Sequence, residues 1–174
     1  LEAVVMTKRD FVIRPAIATD MNGVADIYGK AVQTSTASFE HEPPDTSEMT
    51  RRWKAVVADN FPYLAAVGEY DRVLGYGYLH AYHARPAYAA TVENSVYVAE
   101  TARRSGVGKA LMIALIDAAR ALGLREIIAV IGDPDGNPSV ALHAALGFRD
   151  VGRLTNVGRK FKRLVDVALM QKTL

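Results

Sequence analysis

One crossover constrains this chain more than any other feature. A strand-like run, TVENSVYV (91–98), passes through a basic, glycine-bearing turn, RRSGVGK (103–109), into a helical pattern from Val107 to Leu122. Leu111, Ala114, Leu115, Ala118 and Leu122 recur at helical spacing, and Gly123 is the stop signal. The continuous apolar run REIIAVIG (125–132) has the character of a buried strand. Strand, helix and strand in that order need a crossover, so the two strands form a parallel or splayed pair inside a sheet that helices must cover.

The remaining segments attach to that unit. Phe11-Val12-Ile13-Arg14 is a short strand stopped by Pro15, and Asp20 opens a helix through Val24, Ile27, Tyr28 and Ala31. The polar, double-proline stretch TSTASFEHEPPD (34–45) is a loop. Asp45 or Ser47 caps a second helix to about Asn60, with Met49, Trp53 and Val56 or Val57 on one face. YLAAVGEY (63–70) and VLGYGYLHAYH (73–83) form a hairpin turning at Asp71-Arg72. A short helix over 138–146 and strands over 148–154 and 164–171 complete the order β-α-α-β-β-β-α-β-α-β-β. Neither a repeat nor a long linker interrupts it, so residues 11–174 read as one domain behind an extension of residues 1–10. The five residues before Met6 are assigned no role.

Composition narrows the function. The chain has 174 residues, half of them hydrophobic, enough for a sizeable single core. Its 21 Lys and Arg against 19 Asp and Glu leave a formal charge of only +2, which argues against a nucleic-acid partner. The absence of cysteine removes disulfides and thiolate chemistry and fits a reducing compartment. Neither a secretory leader nor an apolar run of membrane-spanning length is recognisable, so a cytoplasmic protein without a membrane partner is expected. His41, His80 and His83 lack acidic partners at metal-ligand spacing, so no metal is expected.

The turn Arg103-Arg104-Ser105-Gly106-Val107-Gly108-Lys109 carries more charge and backbone freedom than a connection needs. Its glycines allow successive N–H groups to converge on one point ahead of a helix N-terminus, and its cations could neutralise a diphosphate. A glycine-eased turn with solvated basic residues is the plainer alternative. A Walker-type loop is excluded, since Ala110 follows Gly108-Lys109 and Arg103 stands where its first glycine belongs.

Arg103-x-x-Gly106-x-Gly108 between strand and helix resembles the acetyl-CoA pyrophosphate loop of the Gcn5-related N-acetyltransferase (GNAT) superfamily. VENSVYV (92–98), AVIGDPDGNPSVALHAALGF (129–148) and VGRKFKRLVDVALMQ (157–171) are similar to its phosphinothricin and methionine sulfone/sulfoximine N-acetyltransferase branch. The resemblance covers the chain from about Phe11 to its end. It implies an α+β GNAT fold: a mixed, mostly antiparallel sheet splayed between its fourth and fifth strands and flanked by four helices. It also implies direct acetyl transfer from acetyl-CoA to the α-amine of a small amino-acid-like acceptor, through a tetrahedral intermediate, by a homodimer. A non-catalytic acetyl-CoA sensor, or an acetyltransferase for protein N-termini or polyamines, would share the cofactor cleft.

Carried over by position, the resemblance implies that the main chain at Val96 and Val98 pairs with the pantetheine arm as an added strand. The amide of Val98 then meets the growing oxyanion. Arg103, Arg104, Ser105, Gly106, Val107, Gly108 and Lys109 hold the pyrophosphate, Asn137 and Ser139 are further cofactor contacts, and His143 returns a proton to the thiolate. Glu93 is the base that takes the proton of the acceptor amine. Strand alternation puts it on one face with Ser95 and Tyr97, opposite Val96 and Val98. Arg85 faces the acceptor carboxylate, and Phe39 and Tyr88 wall its pocket. Phe39, isolated in a polar loop, suggests a ligand or subunit contact. Lys162 and Leu164 stand where the branch has glycine and tryptophan, leaving acceptor specificity open.

Overall fold

The computed structural model describes residues 11–174. The extension assigned to residues 1–10 lies outside the described residues. In chain order the elements are β1 (Val12–Pro15), α1 (Met21–Thr34), α2 (Thr46–Ala58), β2 (Tyr63–Val67), β3 (Val73–Ala81), β4 (Thr91–Val98), α3 (Val107–Ala121), β5 (Glu126–Gly132), α4 (Pro138–Ala145), β6 (Arg149–Lys160) and β7 (Arg163–Thr173). They form one seven-stranded sheet of order β1-β2-β3-β4-β5-β7-β6, antiparallel except for the parallel β4–β5 pair. The expected element order and the splay are both present: β4 and β5 pair only over Thr91–Glu93 and Glu126–Ile128, then separate.

The two sheet faces are packed differently. Met21, Val24 and Tyr28 of α1 and Met49 of α2 bury one face with Tyr63 and Tyr76, while Met112, Leu115 and Ile116 of α3 bury the other with Leu79, Val92 and Ile127. The run LGYGYL in β3 encodes this asymmetry. Its tyrosines point to α1 and α2; its glycines let α3 approach, since a Cβ on Gly75 would fall 2.9 Å from Val107 Cγ1 and one on Gly77 3.0 Å from Leu115 Cδ1. Tyr63, Tyr76, Tyr78 and Tyr97 stack with ring centroids 5.0–6.4 Å apart. Aromatic pairs at such spacing add stabilisation beyond the area they bury.

The structure decides one local alternative and departs from expectation in two other places. Asp45 rather than Ser47 caps α2, its Oδ1 accepting from the Glu48 N–H at 2.8 Å. The buried Asp20 carboxylate does not cap α1; it accepts from Ile17 N–H and from Nη1 and Nη2 of Arg14, tying β1 to the entry of α1. The last two strands are longer than expected and meet at a two-residue turn in which Phe161 and Lys162 both have positive φ, as tight hairpin turns require. Their length was hidden because β6 is an edge strand, exposed along most of its course, with no alternation to read.

Candidate active site

The site begins where β4 leaves β5. Ala99 N–H donates to Leu74 O at 2.9 Å and Tyr82 N–H to Thr91 O at 3.2 Å, on one continuous register with β3. In an antiparallel ladder bonding residues alternate. Glu93, Ser95 and Tyr97 therefore bond to β3, while Asn94, Val96 and Val98 turn their main-chain groups away from it. Beyond Glu93 no β5 residue pairs with them. The result is a cleft of about 130 Å³ lined by residues 94–97 of β4, residues 129–132 of β5, Asn137, Ser139 and His143 beside α4, and Ala37.

At the mouth of the gap the turn before α3 forms a nest of donors. Gly106 takes φ +86°, with nothing within 4 Å of where its Cβ would lie, and Arg104 takes φ +63°. Among the described residues, the main-chain N–H groups of residues 104–109 find no acceptor, so they are open to an anion at the positive end of the helix. Arg103, Arg104 and Lys109 are exposed and make no ion pair among the described residues. The Ser105 hydroxyl is turned inward and donates to Ala102 O at 2.6 Å. Gly108 lies against β4, its virtual Cβ 3.4 Å from Val98 Cγ2.

On the α3–α4 face, His143 is buried. Its Nδ1 lies 2.7 Å from Ser139 O and its Nε2 3.0 Å from Asn94 Nδ2, and the ring sits edge-on to Phe148. Burial lowers its pKa, outweighing the Ser139 carbonyl. These partners assign the neutral ring, protonated on Nδ1. Asn137 is the α4 cap: its Oδ1 accepts from Ser139 N–H and its Nδ2 donates to Gly132 O and Asp133 O. Ser139 is not the cap; its hydroxyl lies 3.3 Å from His143 Nδ1.

On the opposite face, Glu93 shares a row with Ser95 and Tyr97, and the alternation is unbroken by any bulge against β3. Its carboxylate stands 3.9 Å from His80 Nε2. Burial raises its pKa, tempered by His80 and His83. A half-buried carboxylate moved toward neutrality is suited to taking a proton. His80, the cross-strand partner of Glu93, was invisible as a site residue because hairpin register had to be known first. Arg85 and Tyr88 lie on the exposed β3–β4 connection, with Tyr88 packed edge-on to Tyr82 and His83. Among the described residues Arg85 makes no ion pair, and no three His, Asp or Glu side chains are grouped to hold a metal.

Phe39 has a cause the sequence did not disclose. Though 41% exposed, its ring lies on two glycines: a Cβ on Gly132 would fall 2.8 Å from it, and one on Gly158 closer still. The same loop is tied by Lys160 Nζ, which donates to Ser35 O and Ser38 O, and by Glu40, which accepts from Tyr28 and Arg52. Burial lowers the Lys160 pKa and pushes that of Tyr28 up to about 12. Residues 35–40 thus form a fastened wall above the cleft. A wider hollow of about 460 Å³ near His41 and the Phe161-Lys162 turn lies at the hairpin end and contains neither the strand gap nor the donor nest.

Comparison with known proteins fits this geometry. The acetyltransferase (GNAT) family model matches residues 25–148. A phosphinothricin N-acetyltransferase of Alcaligenes faecalis is 43% identical over 155 residues, covering 89% of this chain and 78% of that protein. An L-methionine sulfoximine/L-methionine sulfone acetyltransferase of Pseudomonas paraeruginosa is 37% identical, covering 93% and 94%. The crystal structure of a phosphinothricin acetyltransferase from Sinorhizobium meliloti in complex with acetyl-CoA superposes with a TM-score of 0.90 at 39% identity, covering 95% and 89%. By fold, by the strand gap with its donor nest, and by these relatives, the chain belongs to the GNAT acetyltransferase family.

Proposed function

We propose that this protein transfers the acetyl group of acetyl-CoA to the α-amine of a small amino-acid-like acceptor of the phosphinothricin or methionine sulfone/sulfoximine type. The observation that carries the reading is the continuity of three features: the donor nest at 104–109, the turned-out main chain at Val96 and Val98, and Glu93 at the last paired row of the splay. An extended arm anchored at the nest would run along β4 as an added strand and end beside Glu93.

In this reading the main chain at Val96 and Val98 pairs with the arm, and a β4 N–H turned into the gap toward Glu93 stabilises the oxyanion as the thioester carbonyl is attacked; Val98, about 16 Å along the strand from Glu93, serves the arm rather than the oxyanion. Glu93 removes the ammonium proton from the acceptor face, directly or through one water. His143 lines the sulfur end from the other face, where its ring orders the polar groups that meet the arm rather than supplying a proton. A thiol of pKa about 8.5 leaves readily, so no proton donor is obligatory there. Arg85 pairs with the acceptor carboxylate, a planar fork on a planar anion, while Tyr88 and the Phe39 loop bound the acceptor. Exposed Val151, Leu154 and Val157 on edge strand β6, with Phe161 and Leu164 beside them, support assembly as a homodimer. Incubation with acetyl-CoA and a panel of amino acids, read by mass spectrometry for an acetylated α-amine, tests the assignment; a panel left unmodified would remove it.

A further inference from the structure

Asn94 has no role in the reading above, yet it occupies the end of the cleft. It is 7% exposed on β4, beside the last residue of that strand to pair with β5, and it lines the gap together with His143. Its Nδ2 donates to His143 Nε2 at 3.0 Å and lies 3.3 Å from Met112 Sδ, whereas its Oδ1 is buried without a partner among the described residues. A reversed amide would set Oδ1 against Nε2 and require a proton there. Nδ1 already needs its own proton to meet Ser139 O at 2.7 Å, so reversal demands an imidazolium. Burial disfavours that charge, and among the described residues no acidic group partners the ring. The carbonyl oxygen therefore points away from His143, and a buried acceptor left open beside a ligand cleft is a feature stability alone would remove.

We infer that Asn94 is a positioning residue that donates to Nε2 of His143 in its Nδ1–H tautomer and presents Oδ1 to a donor at the sulfur end of the cofactor arm. The inference rests on the cofactor reading above. With Nδ1–H on Ser139 and Nε2 filled by Asn94, the neutral imidazole offers the cleft no proton, and Asn94 is the polar group that meets the arm. Two donors exist at that end: the amide N–H next to the thiol, present in acetyl-CoA and in coenzyme A, and the S–H, present only in coenzyme A.

The test combines long-range proton–nitrogen NMR of histidine-labelled protein with calorimetric titration of acetyl-CoA and of coenzyme A, without acceptor. The wild-type spectrum is expected to show His143 protonated on Nδ1; protonation on Nε2 alone would overturn the inference without any variant. Asn94→Leu, close in shape, is expected to keep His143 protonated on Nδ1 by Ser139 O, to shift the Nε2 resonance as that acceptor loses its donor, and to bind coenzyme A about tenfold more weakly, the scale of one hydrogen bond. A loss confined to coenzyme A identifies the thiol as donor; a loss shared with acetyl-CoA identifies the amide. Unchanged affinity for both ligands in folded Asn94→Leu, or in Asn94→Val if the leucine variant does not fold, would overturn it. Wild-type protein that binds neither ligand would fail the cofactor reading itself, whereas binding that the variants leave intact would fail this inference alone.

Discussion

At the scale of the residue, Glu93 carries the sharpest expectation. Glu93→Gln keeps the shape and removes the proton acceptor, so kcat at neutral pH is expected to fall by about 10²- to 10⁴-fold with little change in acetyl-CoA KM. The deficit should shrink as pH rises past the pKa of the amine, where solvent has already removed the proton; a constant deficit would make Glu93 a positioning group. Stability supplies an independent sign. Burial raises the folded-state pKa of Glu93 above its unfolded value, so its protonation favours the fold at low pH and that contribution is lost as pH rises through the folded pKa. Glu93→Gln should therefore melt no lower than wild type at neutral pH, and any gain should vanish below the ordinary carboxylate pKa. Arg85→Ala is expected to raise the KM of an amino-acid acceptor at constant acetyl-CoA KM; equal preference for acid and amide acceptors in both proteins would contradict its role. Glu93 and Arg85 could be singled out from sequence because a motif brackets each. Asn94 and His80 could not, because their meaning lies in partners 49 and 13 residues away.

At the scale of the element, the donor nest and the loop above the cleft separate two halves of the site. Gly108 has space for a Cβ at ordinary contact distance, so Gly108→Val is expected to fold while its side chain keeps phosphate from the main chain, raising acetyl-CoA KM strongly. Unchanged acetyl-CoA affinity in the folded variant would reduce the nest to a turn. Gly158→Ala acts on the other half: its Cβ collides with the Phe39 ring, and overpacking of this kind costs about 1–3 kcal/mol. The expected outcome is a raised acceptor KM with acetyl-CoA binding retained, measured by titrating each substrate separately; parallel loss of both would deny the loop its selective role. The helices and central strands were legible because their periodicity reports burial. The Phe39 contact was not, since it joins a loop to glycines more than 90 and 115 residues later that carry no side chain to signal it.

At the scale of the whole molecule, the crossover read between residues 91 and 132 is the feature on which fold and site both depend. Its parallel pair opens after three residue pairs, and the gap that results gathers residues 94–97 of β4 with Asn137, Ser139 and His143. What the chain alone could not convey is the edge: β6 exposes Val151, Leu154 and Val157 without periodicity. If that edge is a subunit interface, light scattering at low micromolar concentration should give twice the monomer mass, and Leu154→Lys should shift it toward one; a wild-type monomer at that concentration would remove the homodimer. The central claim is acetyl transfer to an α-amino acid, and thiol release from acetyl-CoA measures it most directly. With methionine sulfone or phosphinothricin as acceptor, saturable release well above the acceptor-free rate is expected, falling when the carboxylate is replaced by its amide. Release no faster than without acceptor, or equal release with a polyamine, would contradict the account.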